Sequence, residues 1–227
     1  MKKTISVIIT CHDLEDYLGE CMDSIKAQID YPHEIILVHD GCKKFPTYGG
    51  ADTILIDKNV GVAKARMMGA KVATGEYILF VDADDRLPEI FLHEMQTKIK
   101  TGKEIVYPDC VVWASWANSG FKNTYCNMPH KITWDILVKQ NWVLVTSLIP
   151  RQTFIDLGGF HEYKMFEDWE FFQRAFLHKV PFVKASIWLS YRQRTNSRNR
   201  QSDDIKQSIT EKIKEDIQIY KKKYIKP

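Results

Sequence analysis

Four short apolar runs constrain this chain more than any other feature, because three of them end abruptly in polar residues. Ile5 to Thr10 runs into Cys11, His12 and Asp13; Glu34 to Val38 runs into His39 and Asp40; Tyr77 to Val81 runs into Asp82, Asp84 and Asp85. Thr53 to Ile56 is the remaining run. Runs of four to eight β-branched and apolar residues read as strands buried on both faces. Between them lie helical spacings: Leu14, Leu18, Cys21 or Met22, and Ile25, with Asp13 placed to cap the first turn, and then Val60 to Ala73, rich in small residues. Strands alternating with helices predict an α/β fold with a mostly parallel central sheet covered on both sides. Ligands of such sheets bind in the crevice beyond the carboxyl ends of the strands, where the polar residues cluster here.

The rest of the chain extends this pattern. Leu87 to Ile99 reads as a helix, Glu104 to Tyr107 and Val111 to Trp113 as strands, and 114–142 as an aromatic, weakly periodic region. Ser147 to Leu157 reads as a helix stopped by Gly158 and Gly159, Asp168 to Leu177 as another, and Phe182 to Leu189 as a strand. A basic loop with Arg192, Arg194, Arg198 and Arg200 leads to a final helix whose Ile205, Ile209, Ile213, Ile217, Tyr220 and Tyr224 share one side. The expected organisation is one domain over residues 1–200, made of two parts, 1–113 and 114–200, followed by an amphipathic C-terminal helix over 201–227.

With 44% apolar and 27% charged residues, the 227-residue chain is neither disordered nor fibrous. No apolar run approaches the roughly 20 residues that a spanning helix needs, and the start does not resemble a signal sequence, so a cytoplasmic location is expected. Five scattered cysteines without a C-x-x-C pair predict reduced thiols rather than disulfides or a zinc site. Residues 1–113 hold 13 basic against 18 acidic side chains and 114–227 hold 19 against 11, so the halves carry −5 and +8. An acidic half suits a cation and a basic half suits a polyanion.

Asp82, Asp84 and Asp85 put three carboxylates into four positions at a strand end. That much like charge is costly to bury unless a cation or hydrogen bonds compensate, and an oxygen-only donor set suits Mg²⁺ or Mn²⁺. The competing reading is a solvated turn at a helix start, which Leu87 and Pro88 would follow.

The stretch from Asn59-Val60-Gly61 through Ala65-Arg66 and Gly75-Glu76-Tyr77-Ile78 to Asp82-Ala83-Asp84-Asp85 resembles family 2 glycosyltransferases of GT-A fold. The first two strands, the segments Gly158-Gly159-Phe160-His161-Glu162 and Phe166-Glu167-Asp168-Trp169-Glu170, and Tyr191-Arg192 extend the resemblance over residues 4–200. It implies an inverting transfer from a nucleotide sugar, a UDP-sugar for preference, to a hydroxyl of a glycan or glycolipid precursor. It implies Asp168 as the catalytic base, Asp84 and Asp82 as ligands of Mn²⁺ or Mg²⁺, and Thr10, His12, His39, Asp40, Arg66 and Asp82 around the nucleotide. An adjacent pair of aspartates is common in that family where His39 and Asp40 stand, and a metal-binding histidine where Arg194 stands. Arginine binds phosphate rather than metal, so Arg192 and Arg194 are expected on the diphosphate, with a weaker dependence on metal.

Trp113, Trp116, Phe121, Tyr125, Trp134 and Trp142 crowd the region where such enzymes bind acceptors, and Trp169, Glu167 and Trp142 are the acceptor candidates. Two further acceptor or partner readings are a modified nucleobase in DNA and, through Lys221, Lys222, Lys223 and Lys226, an anionic membrane surface. From other classes, a catalytically silent nucleotide-binding module remains open. A nucleotidyltransferase would want a glycine-rich basic loop after the first strand, and a Rossmann dehydrogenase a G-x-G-x-x-G, neither of which is present.

Overall fold

The computed structural model describes residues 3–30, 32–43, 49–114, 124–194 and 202–225. Eight strands, β1 (Ile5–Cys11), β2 (Glu34–Asp40), β3 (Thr53–Asp57), β4 (Tyr77–Asp82), β5 (Ile105–Ala114), β6 (Thr124–Cys126), β7 (Leu148–Pro150) and β8 (Phe182–Gln193), form one sheet. Its order is β3-β2-β1-β4-β7-β5-β6, with β8 paired to β5. β1 pairs in parallel with β2 and β4, β2 with β3, and β5 with β8, whereas β7 and β6 run antiparallel to their neighbours. The helices are α1 (Glu15–Lys26), α2 (Val62–Val72), α3 (Phe91–Gln96), α4 (Trp134–Leu137), α5 (Arg151–Asp156), α6 (Glu167–Leu177) and α7 (Asp203–Tyr224).

All of β1, and all of β2 after Glu34, is buried, as continuous apolar runs in a doubly covered sheet require. Side chains alternate between sheet faces, so the register assigns each one a side. Ile8 and Val38 face α2, which lies so close that a Cβ at Gly69 would meet the Ile8 Cγ2 at 2.4 Å. Only glycine permits that approach. Thr10 and Asp82 are register partners at the mouth of the same face, two residues beyond Ile8 and Phe80.

Several expected boundaries are corrected. Asp13 does not cap α1: it holds a left-handed backbone with φ of 52°, and Leu14 occupies the cap. Residues 147–157 split into β7 and α5, because Leu148, Ile149 and Pro150 extend along β4 before Arg151 starts the helix. The two strands expected at 104–113 are one, with a register irregularity at Tyr107 and Asp109 around Pro108. α3 covers only the centre of 87–99. β8 runs four residues further than expected, so Arg192 lies within a strand rather than in a loop. α7 packs through Ile213 and Ile217, while Ile205 and Tyr224 at its ends are exposed. It is pinned by the Tyr163 hydroxyl, which donates to Asp216 at 2.7 Å, and by a His178–Tyr220 hydrogen bond of 2.9 Å. Lys221 lies 5.5 Å from the Trp134 ring centroid and is not simply a solvated tail. Trp116, Phe121, Arg198, Arg200 and Lys226 lie outside the described residues. Among the described residues, no helix is long and apolar enough to cross a membrane.

Candidate active site

At the carboxyl ends of the central strands the sequence-predicted residues meet in one ion network. Arg66 leaves α2 toward the sheet and is only 3% exposed. Its Nη2 donates to Asp82 Oδ1 at 2.5 Å, and its Nη1 donates to Glu167 at the start of α6. A buried guanidinium between two carboxylates keeps its charge, since the fork geometry satisfies both acids at once. Burial alone would lower its pKa, but Asp82, Glu167 and Asp168 drive it upward. Glu167 was expected near the acceptor; it is buried and committed to Arg66 instead.

Asp168, the next residue, is half-buried beyond that pair. Its Oδ2 accepts from Asn141 Nδ2 at 3.0 Å and its Oδ1 from the Trp169 backbone N–H at 2.8 Å. Burial, reinforced by the neighbouring Glu167 charge and opposed by Arg66 and Asn141, raises its pKa to about 6. A carboxyl tuned there is ionised at neutral pH yet basic enough to take a proton. Phe166, which precedes the pair, holds φ of 67°, a strained conformation for an aromatic residue and one that sets the direction in which α6 starts.

Trp169 was expected as a platform for acceptor or donor. It is 3% exposed, its Nε1 donates to the Leu137 carbonyl at 2.5 Å, and its ring meets Phe166 edge-on. It therefore packs the α4–α6 contact, as a buried indole with one satisfied donor does. Trp142 is partly buried against the core.

The carboxylate cluster has a basic lid. Arg194 Nε donates to Asp84 Oδ2 at 2.6 Å, and the Arg192 backbone N–H donates to Asp85 Oδ1 at 2.9 Å. Burial, then repulsion from Asp82, raises the pKa of Asp84; burial, then Asp84 and Asp82, raises that of Asp85 well above its ordinary value. Burial first, and carboxylate repulsion second, together outweigh what the two arginines neutralise. Asp84 gives one oxygen to Arg194, and the oxygen-only donors of Asp84 and Asp82 fit Mg²⁺ or Mn²⁺.

Arg192 does not stand free as expected for a diphosphate ligand. It is 5% exposed, donates from Nε to the Asp84 carbonyl at 2.9 Å and from Nη2 to Glu20 Oε2 at 2.6 Å. Its guanidinium lies 3.9 Å from the Trp113 ring centroid and 4.6 Å from that of Tyr17. Stacking on two rings fixes the segment that presents Arg194. Tyr17, Glu20 and Asn141 had no signal in the sequence, since each acts on a partner far along the chain.

Among the residues expected around a nucleotide, Asp40 accepts from the Val60 and Gly61 backbone N–H groups at 2.6 and 3.0 Å, fixing the turn that opens α2. His12 is exposed, bonded through Nδ1 to the Asp40 carbonyl at 2.6 Å and through Nε2 to Asn59 at 3.1 Å. Thr10 borders the Asp82 side of the crevice. His39 does not: it is the register partner of Cys11, one position out of phase with Thr10, and so lies on the opposite face, 2% exposed.

Parallel strands ending in polar residues beside a buried arginine and a tuned aspartate define an α/β protein with a polar crevice at the carboxyl ends of its strands. The family model described as Glycosyl transferase family 2 matches residues 6–137, and the chain belongs to that family. It is 34% identical over 109 residues to Glycosyltransferase GlyG of Streptococcus pneumoniae, a match covering 44% of this chain and 36% of that protein. It is 33% identical over 125 residues to the Poly(ribitol-phosphate) beta-glucosyltransferase of Bacillus spizizenii, covering 44% and 19%. The matched segments thus span well under half the length of these relatives. Among solved structures, Staphylococcus aureus TarS 1-349 in complex with UDP-GlcNAc superposes with a TM-score of 0.69 at 20% identity, over 88% of this chain and 61% of that one. The shared architecture is the GT-A-like fold.

Proposed function

We propose that this chain carries the donor site and the catalytic base of an inverting glycosyltransferase that uses a UDP-sugar and transfers to a hydroxyl of a glycan, glycolipid or polyol-phosphate precursor. The observation that carries the reading is the continuous network Asp82–Arg66–Glu167 next to Asp168. It ties the end of the central donor strand to the start of the helix bearing the base. The UDP-GlcNAc complex of the TarS fold neighbour and the polyol-phosphate acceptor of the Bacillus relative support the donor and acceptor classes. Neither supports a nucleic-acid acceptor.

In this reading Asp168 takes the proton of the acceptor hydroxyl as its oxygen attacks the anomeric carbon. The new C–O bond forms on the face opposite the breaking bond to the diphosphate, so one displacement inverts the centre. One carboxylate suffices, because a diphosphate leaves without being protonated, whereas a glycosidase needs a second acid. Asn141 holds the Asp168 carboxylate in place by donating from Nδ2 to its Oδ2 at 3.0 Å. Asp84 and Asp82 would hold Mn²⁺ or Mg²⁺, which supplies positive charge to the leaving diphosphate. Arg194 adds to that charge from above.

Thermal unfolding with UDP, GDP, CDP and dTDP, each with Mn²⁺ and with a chelator, tests the donor assignment. A nucleotide at a hundred times its Kd adds about 2.7 kcal/mol. For a chain of this size that raises Tm by roughly 5 to 11 °C. UDP with Mn²⁺ gives the largest shift; equal shifts with all four nucleotides, or none, refute the assignment.

A further inference from the structure

Behind the crevice, on the sheet face turned away from Asp82, three soft ligands converge. Cys11 and His39 are register partners on the adjacent strands β1 and β2, so their side chains leave the sheet on one side. Gly41, with φ of 73°, turns the chain back immediately after β2 and brings Cys42 over the pair. A Cβ at Gly41 would meet the Asn59 backbone nitrogen at 2.7 Å, so this turn admits glycine alone. One ligand atom from each of Cys11, His39 and Cys42 lies within 4.8 Å of the other two.

We infer that Cys11, His39 and Cys42 form a binding site for a thiophilic divalent cation of the Zn²⁺ type, distinct in ligand chemistry from the carboxylate cluster. Two thiolates and an imidazole are the donor set that Zn²⁺ favours and that Mg²⁺ and Mn²⁺ do not. In a tetrahedral zinc site, sulfur and nitrogen ligands stand about 3.5 to 3.8 Å apart. The Nδ1 of His39 already lies 3.3 Å from the Cys42 sulfur, near that spacing, and the Cys11 sulfur lies within 4.8 Å of both, so a modest contraction completes the set; the Cys42 thiol meanwhile donates to the Cys11 carbonyl at 3.0 Å, which holds the turn against β1. Two ligands sit on rigid strands and the third on a constrained turn, an arrangement that limits the ordering cost of binding. The Glu15 carboxylate in the first turn of α1 acts electrostatically on all three groups, which places negative charge where a cation would enter. Binding exchanges the two thiol protons for the metal and releases them to solvent. Three protein ligands leave a fourth position for water or for an oxygen donor.

This site does not depend on the glycosyl-transfer reading, and the experiment separates the two. The reduced, chelator-treated full chain is titrated with Co²⁺ and followed by absorption. The expected result is near-ultraviolet thiolate-to-metal charge transfer and visible bands of tetrahedral intensity that saturate as a single site, separate from any Co²⁺ held by the carboxylates, which gives no thiolate band. One equivalent of Zn²⁺ abolishes both, and a hundredfold excess of Mn²⁺ changes neither. Cys42→Ser reduces the charge-transfer intensity by about half, as loss of one of two thiolates requires. His39→Asn leaves the charge transfer but weakens binding by about 10- to 100-fold or more, at least the loss seen when groups supporting a metal ligand are removed. Cys126→Ser, a thiol on β6 remote from the cluster, binds like the unaltered chain. Tm measured without metal confirms that each variant is folded. Absence of a charge-transfer band, displacement by Mn²⁺, or equal binding by Cys42→Ser overturns the inference.

Discussion

Arg66 is the single residue whose removal tests the architecture of the site most directly. It is almost wholly buried, and one of its two carboxylate partners, Glu167, is equally buried. Arg66→Met fills much of the volume but leaves the Glu167 carboxylate without its counter-charge. Breaking a buried ion pair on one side costs about 3 to 5 kcal/mol. For a chain of this length that lowers Tm by roughly 6 to 20 °C. Asp82 is about a quarter exposed and can recover hydration, so most of the loss belongs to Glu167. The double variant Arg66→Met with Glu167→Gln removes both charges and restores the greater part of the stability, because neutral partners avoid the uncompensated burial. Calorimetry or urea unfolding of the two singles and the double supplies the cycle. A second readout follows from Asp168, whose raised pKa Arg66 holds down, so loss of Arg66 moves the acid limb of the rate profile to higher pH. A Tm drop below 2 °C in Arg66→Met, or additivity of the two substitutions, would refute the buried-bridge argument.

Further outcomes follow from the same geometry. With an active donor and acceptor pair, kcat/KM falls as pH drops through about 6, because Asp168 must be ionised to accept a proton. A flat profile down to pH 5 would exclude it as the base. Asp168→Asn abolishes transfer while donor-induced Tm shifts persist, whereas Asp84→Ala weakens the Mn²⁺-dependent part of the nucleotide shift; unimpaired turnover or unchanged metal dependence counts against the respective role. Gly69→Ala lowers stability by about 1 to 3 kcal/mol, the range for overpacking, since its Cβ would strike Ile8 on the central strand. A neutral result in urea unfolding would mean that α2 slides freely over the sheet. Arg194→Ala removes a positive charge beside the diphosphate and leaves both Asp84 oxygens for metal, so UDP binding comes to depend more strongly on Mn²⁺, measured by calorimetric titration; a weaker dependence would refute the supporting role given to Arg194.

The strands β1, β2 and β4 were legible because burial on both faces demands uninterrupted apolar runs, and the polar residues after them marked the crevice. β7 was not, since three residues carry no period and their extended form is imposed by pairing with Tyr77, Ile78 and Leu79. Pro108 made β5 look like two strands, although the long β8 beside it bridges the irregularity. Among site residues, Arg66 and Asp82 were both assigned to the crevice by the resemblance, but their ion pair was not legible. Tyr17, Glu20 and Asn141 were not legible either, because an aromatic on an amphipathic helix or an amide in an irregular segment reads the same whether or not an arginine or a carboxylate folds onto it. Trp169 was misjudged for a related reason: a tryptophan beside a base can face inward or outward, and the open carbonyl of Leu137 settled the matter.

The pairing of Arg194 with Asp84 spans 110 positions of sequence, and β8 reaches β5 only after most of the chain has been made. At synthesis rates of 5 to 20 residues per second, the acidic strand end precedes its basic partners by roughly 5 to 20 s. During that interval the first four strands carry three converging carboxylates with no guanidinium from β8 to offset them. In the finished chain that offset comes from β8, through Arg194 on Asp84 and the Arg192 backbone N–H on Asp85. A chain truncated before β8 therefore lacks more than a strand: it lacks the donors that meet Asp84 and Asp85 at the acidic end of its sheet.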